Sequence, residues 1–151
     1  MIVGIPKETF SGKQRVAIVP ISLSALTKAG FDVIVETAAG VSAGFSDAAY
    51  EAKGCRIVSD RASLFAEADI VLQTRMAAAA GKAGDADLHL VRAGQPIIGL
   101  SEPLISANSA KTLADREVTA FSMALIPRIN RAYFKTSRKP GMLTTRGSRG
   151  P

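Results

Sequence analysis

The stretch Ile2–Pro20, IVGIPKETFSGKQRVAIVP, decides how this chain of 151 residues is interpreted. It predicts a short buried strand over Ile2–Ile5, ended by Pro6, and then a polar loop that leads to a second apolar run, Val16–Val19. This arrangement puts Arg15 between two apolar segments that we expect to be buried. A guanidinium stays charged and presents a planar set of N–H donors, so Arg15 is suited to holding a carboxylate or another planar acceptor.

Short apolar runs alternate with helical patterns along most of the chain. Most of these runs are continuously apolar, which is typical of parallel strands covered on both faces. The alternation predicts an α/β fold: a mostly parallel sheet flanked by helices, like a flavodoxin-like or Rossmann-like half-domain. The predicted strands are Ile2–Ile5, Asp32–Glu36, Arg56–Val58, Asp69–Gln73, Pro96–Leu100 and Val118–Ala124. The predicted helices are Ile21–Ala29, Asp47–Lys53, one capped by Ser59 or Asp60 and running to Ala68, and Ser106–Asp115.

The net charge of +6 is unevenly distributed along the chain. Residues 1–130 hold 13 Lys and Arg against 13 Asp and Glu, so the whole excess lies in residues 131–151. A neutral body lacks the basic surface that phosphate-backbone recognition requires, so we expect no nucleic-acid partner. No apolar run approaches the roughly 20 residues of a membrane-spanning helix, and we expect no direct membrane insertion. The N-terminus has no signal-peptide pattern, which favours a cytoplasmic location.

Residues that commonly carry chemistry are few. The 13 glycines do not form the G-x-G-x-x-G turn that holds the pyrophosphate of a dinucleotide at a helix N-terminus. One cysteine, Cys55, and one histidine, His89, cannot supply a zinc site of recognisable spacing. We expect Cys55 to be a small buried hydrophobe and His89 to be a structural or surface residue. The α/β fold is therefore predicted without its usual dinucleotide site and without a metal.

Four motifs, in this order, resemble the N-terminal domain of the alanine dehydrogenase / nicotinamide nucleotide transhydrogenase family. They are Ile2–Pro20, GFDVIVETAAG at 30–40, GFSDAAYEAKG at 44–54 and VTAFSMALIPRINRA at 118–132. The resemblance assigns residues 1–130 to that domain. Residues 131–151 form a basic tail that does not follow the family and that we expect to be disordered.

The resemblance implies roles for three arginines. Arg128 matches the arginine of the loop that contacts bound nicotinamide. Arg15 matches the arginine that holds the substrate carboxylate in alanine dehydrogenases, and Arg75 falls where those enzymes have a lysine. Their essential histidine falls on Glu102 here, which favours the transhydrogenase branch.

The same resemblance shows where the chain departs from the family. Two acceptor residues follow the nicotinamide arginine in the family, and Tyr133 and Thr136 occupy their places. The family's second domain, which carries the dinucleotide fingerprint, does not follow. We therefore expect a C-terminally truncated chain whose last residues come from a shifted reading frame or an artefact; a basic arm for nucleic acid is the competing interpretation.

The function implied is that of the N-terminal part of a proton-translocating NAD(P) transhydrogenase α subunit, which passes hydride between NAD(H) and NADP(H). NAD(H) is the implied cofactor, and we expect that this chain alone neither binds it productively nor catalyses the reaction. One alternative is an alanine- or saccharopine-dehydrogenase-like oxidoreductase; another is a non-catalytic oligomerisation or interaction module. The expected partners are copies of the chain or other transhydrogenase subunits, which would also provide peripheral attachment to the inner membrane.

Overall fold

The computed structural model describes residues 1–9, 14–76, 87–101 and 107–126 of the chain. Six strands in these ranges form one parallel sheet in the order β3-β2-β1-β4-β5-β6. The strands are β1 Ile2–Ile5, β2 Asp32–Glu36, β3 Arg56–Val58, β4 Ile70–Arg75, β5 Pro96–Leu100 and β6 Thr119–Ser122. The α-helices are α1 Leu23–Lys28, α2 Asp47–Glu51, α3 Arg61–Glu67 and α4 Ala107–Asp115. The α/β class and the parallel sheet are confirmed.

The strand order places a crevice at the middle of the sheet. The chain runs outward from β1 to β3, then returns and runs outward the other way from β4 to β6. Ligands of open α/β sheets bind outside the carboxyl ends of the strands at such a reversal point. Here the reversal lies between β1 and β4, where Val3 pairs with Ile70 and Gly4 pairs with Val71.

Helices cover the two faces of the sheet with separate hydrophobic clusters. On one face, Leu23 of α1 and Tyr50 of α2 pack with Val3, Val33 and Val35. On the other face, Leu64 and Phe65 of α3 and Leu113 of α4 pack with residues of β2, β4 and β5, namely Ile34, Val71 and Ile97.

Helix α3 approaches β1 closely because Gly4 has no side chain. A Cβ atom at Gly4 would lie 2.7 Å from the Cβ of Ala68 and 3.0 Å from Cδ2 of Leu64. The start of α3 is fixed by Asp60, whose carboxylate accepts the backbone N–H of Ser63 at 2.7 Å. This supplies one of the acceptors that a helix N-terminus lacks.

Element ends differ from the sequence prediction in several places. Strand β4 extends to Arg75, two residues beyond the prediction, and β6 ends at Ser122, where a 3-10 helix follows over Met123–Leu125. Helix α1 starts later than expected because Pro20–Ser22 forms a 3-10 turn. The run Val16–Val19 is a half-buried loop, and Arg15 is exposed, so the expectation of two flanking buried segments was half right.

Large apolar side chains are exposed near β5 and β6. Leu100 is 41% exposed and Phe121 is 55% exposed, and Met123 and Ile126 beyond β6 are similarly open. None of the helices in the described ranges has the length and hydropathy of a membrane-spanning segment. The predicted basic tail, residues 131–151, lies outside the described residues.

Candidate functional site at the carboxyl edge of the sheet

A cleft of about 240 Å³ opens at the carboxyl edge of the sheet, on the β4–β6 side of the reversal point. We call it the arginine cleft, since two guanidinium side chains border it. The residues that line it are Glu8, Arg15, Thr74, Arg75, Leu100, Ser101 and Ala124. They come from the loop after β1, the ends of β4 and β5, and the turn after β6.

The fold brings together two of the three arginines singled out in the sequence. Arg15 reaches the cleft from the loop after β1, and Arg75 is the last residue of β4. The third, Arg128, lies outside the described residues, as do Glu102, Tyr133 and Thr136. Their roles therefore stay predictions.

Neither of the other two reactive residue types borders the cleft. His89 is exposed in a turn, where its Nδ1 lies 3.4 Å from Nη2 of Arg116. Cys55 is buried, and burial raises the pKa of its thiol, as expected for an unreactive cysteine. Among the described residues, no group of His, Cys, Asp and Glu could hold a metal ion.

Glu8 is a cleft residue that the sequence analysis did not select. Its Oε1 accepts the backbone N–H of Thr74 at 2.5 Å, and its Oε2 lies 3.4 Å from the backbone nitrogen of Arg75. Burial raises the pKa of the Glu8 carboxyl, while these N–H donors act in the opposite direction. Its position in the sequence could have indicated Glu8, because it is an acid three residues after a buried strand at the centre of the predicted sheet.

The loop that carries Arg15 is attached to the body at its far end as well. The hydroxyl of Tyr50 donates to the carbonyl oxygen of Ile18 at 3.0 Å. Burial, with smaller contributions from Cys55 and Asp47, raises the pKa of Tyr50 to about 12, so the hydroxyl keeps its proton. The loop is therefore held on both sides of Arg15.

A second charged group spans the reversal point, from Glu36 at the end of β2 to Gln73 in β4. We call it the Arg61 network: Arg61, Glu36, Asp87 and Gln73. Arg61 donates from Nε and Nη2 to the two carboxylate oxygens of Asp87, each at 2.7 Å. Its Nη1 donates to Glu36 at 2.5 Å and to the carbonyl oxygen of Lys7 at 2.8 Å. Gln73 donates to Asp87 at 3.1 Å, and Glu36 also accepts the backbone N–H of Lys7 at 2.7 Å.

The Arg61 network is largely buried, and its charged groups are paired with one another. The side chains of Arg61 and Asp87 are 19% and 3% exposed. Burial acts to lower the pKa of Arg61, but its bonds and ion pairs with Asp87 and Glu36 outweigh burial and raise it. The network engages Glu36 at the end of β2, the place where dinucleotide-binding sheets have the acid that binds a ribose hydroxyl.

These contacts determine what the site can do. The arginine cleft offers donors for a small anion such as a carboxylate, together with one carboxyl group. The described residues do not by themselves fit a dinucleotide, because the turn after β1 has no glycine fingerprint and Glu36 is already engaged.

Comparison with known proteins agrees with this architecture. NAD(P) transhydrogenase subunit alpha of Cereibacter sphaeroides is 37% identical over 132 residues, which are 87% of this chain and 24% of that protein. The alanine dehydrogenase of Halomonas elongata is 43% identical over 75 residues, which are 50% of this chain and 20% of that protein. The crystal structure of transhydrogenase from Sinorhizobium meliloti matches with a TM-score of 0.76 and 32% identity, over 87% of this chain and 37% of that chain.

The chain thus spans about a quarter of the length of the transhydrogenase relative. The family described as "Alanine dehydrogenase/PNT, N-terminal domain" matches residues 4–136, a range that includes Arg15, Arg75 and Arg128. The protein therefore belongs to the alanine dehydrogenase/PNT N-terminal domain family.

Proposed function

We propose that the chain acts as the N-terminal part of a proton-translocating NAD(P) transhydrogenase α subunit. The observation that carries this proposal is the extent of similarity: 132 residues for the transhydrogenase subunit against 75 for the alanine dehydrogenase. By sequence, transhydrogenase subunits match over 83–87% of this chain, and hydride transfer between NAD(H) and NADP(H) is the activity proposed.

In this proposal the chain contributes a scaffold and one cofactor contact. Arg128 offers N–H donors to the nicotinamide side of NAD(H), while the dinucleotide is gripped by parts outside this chain. The Arg61 network supports this assignment of roles, because Glu36, at the place of a ribose-binding acid, is already bonded to Arg61 within the domain. The cofactor supplies the hydride chemistry, and the protein supplies binding and orientation.

The same proposal implies companions. The matched segment is about a quarter of its relative, and other transhydrogenase subunits or domains are proposed to supply the remaining parts. A cytoplasmic domain attached at the inner membrane through those subunits fits this arrangement.

A chimera tests the proposed function. Residues 1–132 would replace the matched segment of the Cereibacter sphaeroides subunit, and the reduction of NADP by NADH would be measured. We expect the chimera to be active. Arg128→Met should lower that activity by about one to two orders of magnitude, because a hydrogen bond from a charged group contributes about 1.5–3 kcal/mol. Arg56→Met, at an exposed arginine of β3, is the matched control. An inactive but folded chimera would refute the proposal.

The expectation that the isolated chain does not bind the nucleotide productively is tested by titrating it with NADH and following nucleotide fluorescence. We expect no saturable binding. Micromolar binding by the 151-residue chain would overturn the expectation that the nucleotide is held by parts outside it.

A second candidate is favoured by the arginine cleft: an alanine-dehydrogenase-like site for a small 2-oxo carboxylate. Arg15 and Arg75 line one cleft although they are distant in sequence. The test is binding of pyruvate by titration calorimetry. Arg15→Met should weaken binding about tenfold or more, since it removes a charged hydrogen bond, and Arg56→Met should not. Lack of pyruvate binding would eliminate this candidate.

A further inference from the structure

The side chain of Glu8 continues a connection between β1 and β4 that the backbone ladder begins. The ladder pairs Val3 with Ile70 and Gly4 with Val71, and β1 ends at Ile5 while β4 continues to Arg75. Beyond the end of β1, the carboxylate of Glu8 provides the acceptors, with its oxygens 2.5 Å and 3.4 Å from the backbone nitrogens of Thr74 and Arg75. A buried backbone N–H needs such a partner.

This connection coincides with an irregularity on the other side of β4. The register between β4 and β5 shifts between Leu72 and Arg75. Strands bend at such places, and bulges near functional sites change the direction of a side chain. The two strands also approach closely there, because a Cβ at Gly99 would lie 2.5 Å from the carbonyl oxygen of Gln73. The conformation at the end of β4 therefore depends on contacts that hold Thr74 and Arg75 in place, and Glu8 makes such contacts.

We propose that Glu8 is the positioning residue of the arginine cleft: by accepting the amides of Thr74 and Arg75, it holds the end of β4 so that Arg75 faces the cleft lined by Arg15. The proposal deepens the second candidate function and rests on it for the identity of the ligand. Glu8 acts through the backbone of Arg75 and not by a reaction of its own.

Two variants distinguish the effect of the hydrogen-bond acceptors of Glu8 from the effect of having a side chain at this position. Glu8→Ala removes both acceptors. Glu8→Gln keeps one carbonyl oxygen for Thr74 and removes the acceptor for Arg75. Glu51→Ala, at an exposed acid of α2, is the matched control.

The first readout needs no ligand. In ¹⁵N NMR spectra of the full chain, hydrogen exchange of the Thr74 and Arg75 amides and the Nε–Hε signal of Arg75 report the end of β4. We expect Glu8→Ala to speed exchange of both amides and to move the Arg75 signal toward that of an unstructured arginine. Glu8→Gln should speed exchange of the Arg75 amide alone.

The second readout is pyruvate affinity. We expect Glu8→Ala to weaken it by roughly tenfold, which is about 1.4 kcal/mol, and we expect Glu8→Gln to restore part of the loss. A merely structural role would lower stability without this partial rescue.

The outcomes are distinguishable. If the wild-type chain binds no pyruvate but the Arg75 signal moves in Glu8→Ala, the carboxylate function fails and the positioning role stands. If the Arg75 signal and both amides behave as in wild type, the positioning role is overturned, whatever the affinity. Should Glu8→Ala not fold, selective exchange of the Arg75 amide in Glu8→Gln decides, and unchanged exchange refutes the proposal.

Discussion

Two groups of charged residues lie along the carboxyl edge of one sheet, and they differ in what surrounds their arginines. In the Arg61 network, the guanidinium has carboxylate and carbonyl partners from three parts of the chain and is 19% exposed. In the arginine cleft, Arg15 is exposed and borders a space of about 240 Å³. The same residue type is therefore paired within the fold in the Arg61 network and borders an open space in the arginine cleft.

The difference separates a structural role from a binding role. Buried charges must be paired and hydrogen-bonded within the fold, so removing one partner is costly. An exposed charge such as that of Arg15 contributes little to stability, and Arg15 borders a space that a ligand could occupy. Variants of the two groups should therefore affect different measurements.

The largest effect is expected in the Arg61 network. Arg61→Met leaves Asp87 buried without its ion-pair partner, and we expect it to lower the free energy of unfolding by about 3–5 kcal/mol. Urea denaturation followed by circular dichroism measures this. The control is Arg15→Met, which should change stability by about 0.5 kcal/mol or less. Equal losses in both variants would remove the distinction between the two groups.

Overpacking between β1 and the end of α3 should give the next largest effect on stability. Gly4→Ala in β1 places a Cβ 2.7 Å from that of Ala68. We expect a loss of about 1–3 kcal/mol, the usual cost of overpacking, measured in the same denaturation assay. A second change that makes room, Ala68→Gly, should recover part of the loss; no recovery would show that the contact is not the cause.

A smaller effect is expected from the attachment of the Arg15 loop. Tyr50→Phe removes the hydrogen bond to the carbonyl oxygen of Ile18 and should cost about 0.5–1.5 kcal/mol. If the loop positions Arg15 for a ligand, pyruvate affinity should fall as well. A stability loss with unchanged affinity would show that the attachment serves the fold alone.

The smallest effect concerns pH. Folding raises the pKa of Glu8 above its ordinary value of 4.5, chiefly through burial. The folded state therefore favours the protonated carboxyl, and the resulting stabilisation, complete below pH 4.5, is lost as the pH rises through the folded pKa. We expect the stability of Glu8→Gln relative to wild type to increase over that interval. A parallel pair of stability–pH curves would contradict the raised pKa.

Local patterns predicted most of the fold. Continuous apolar runs gave the bounds of β1, β2, β3 and β5, because buried parallel strands need apolar side chains on both faces. The prediction for β4 stopped too early, at Gln73, since its last two residues are polar. They belong to the strand because Arg75 pairs with Leu100 of β5, and the backbone amides of Thr74 and Arg75 also contact Glu8.

The sites were less predictable because their contacts are distant in sequence. Arg61 is 25 residues from Glu36 and 26 from Asp87, and Glu8 is 66 residues from Thr74. Nothing in the spacing of these residues indicates that they meet. Arg15 was selected by its place between two apolar runs and by family resemblance, whereas Arg75 was selected by resemblance alone. Resemblance carries information about three-dimensional neighbours that periodicity does not.

The engagement of Glu36 has a consequence for redesign. Grafting a glycine-rich turn after β1 would supply a pyrophosphate cradle, yet the carboxylate that ought to receive the ribose would still be bonded to Arg61 and to the amide of Lys7. Converting this domain into an autonomous nucleotide binder would require breaking the largely buried ion pair between Arg61 and Glu36. Recruiting a separate nucleotide-gripping domain leaves that ion pair intact.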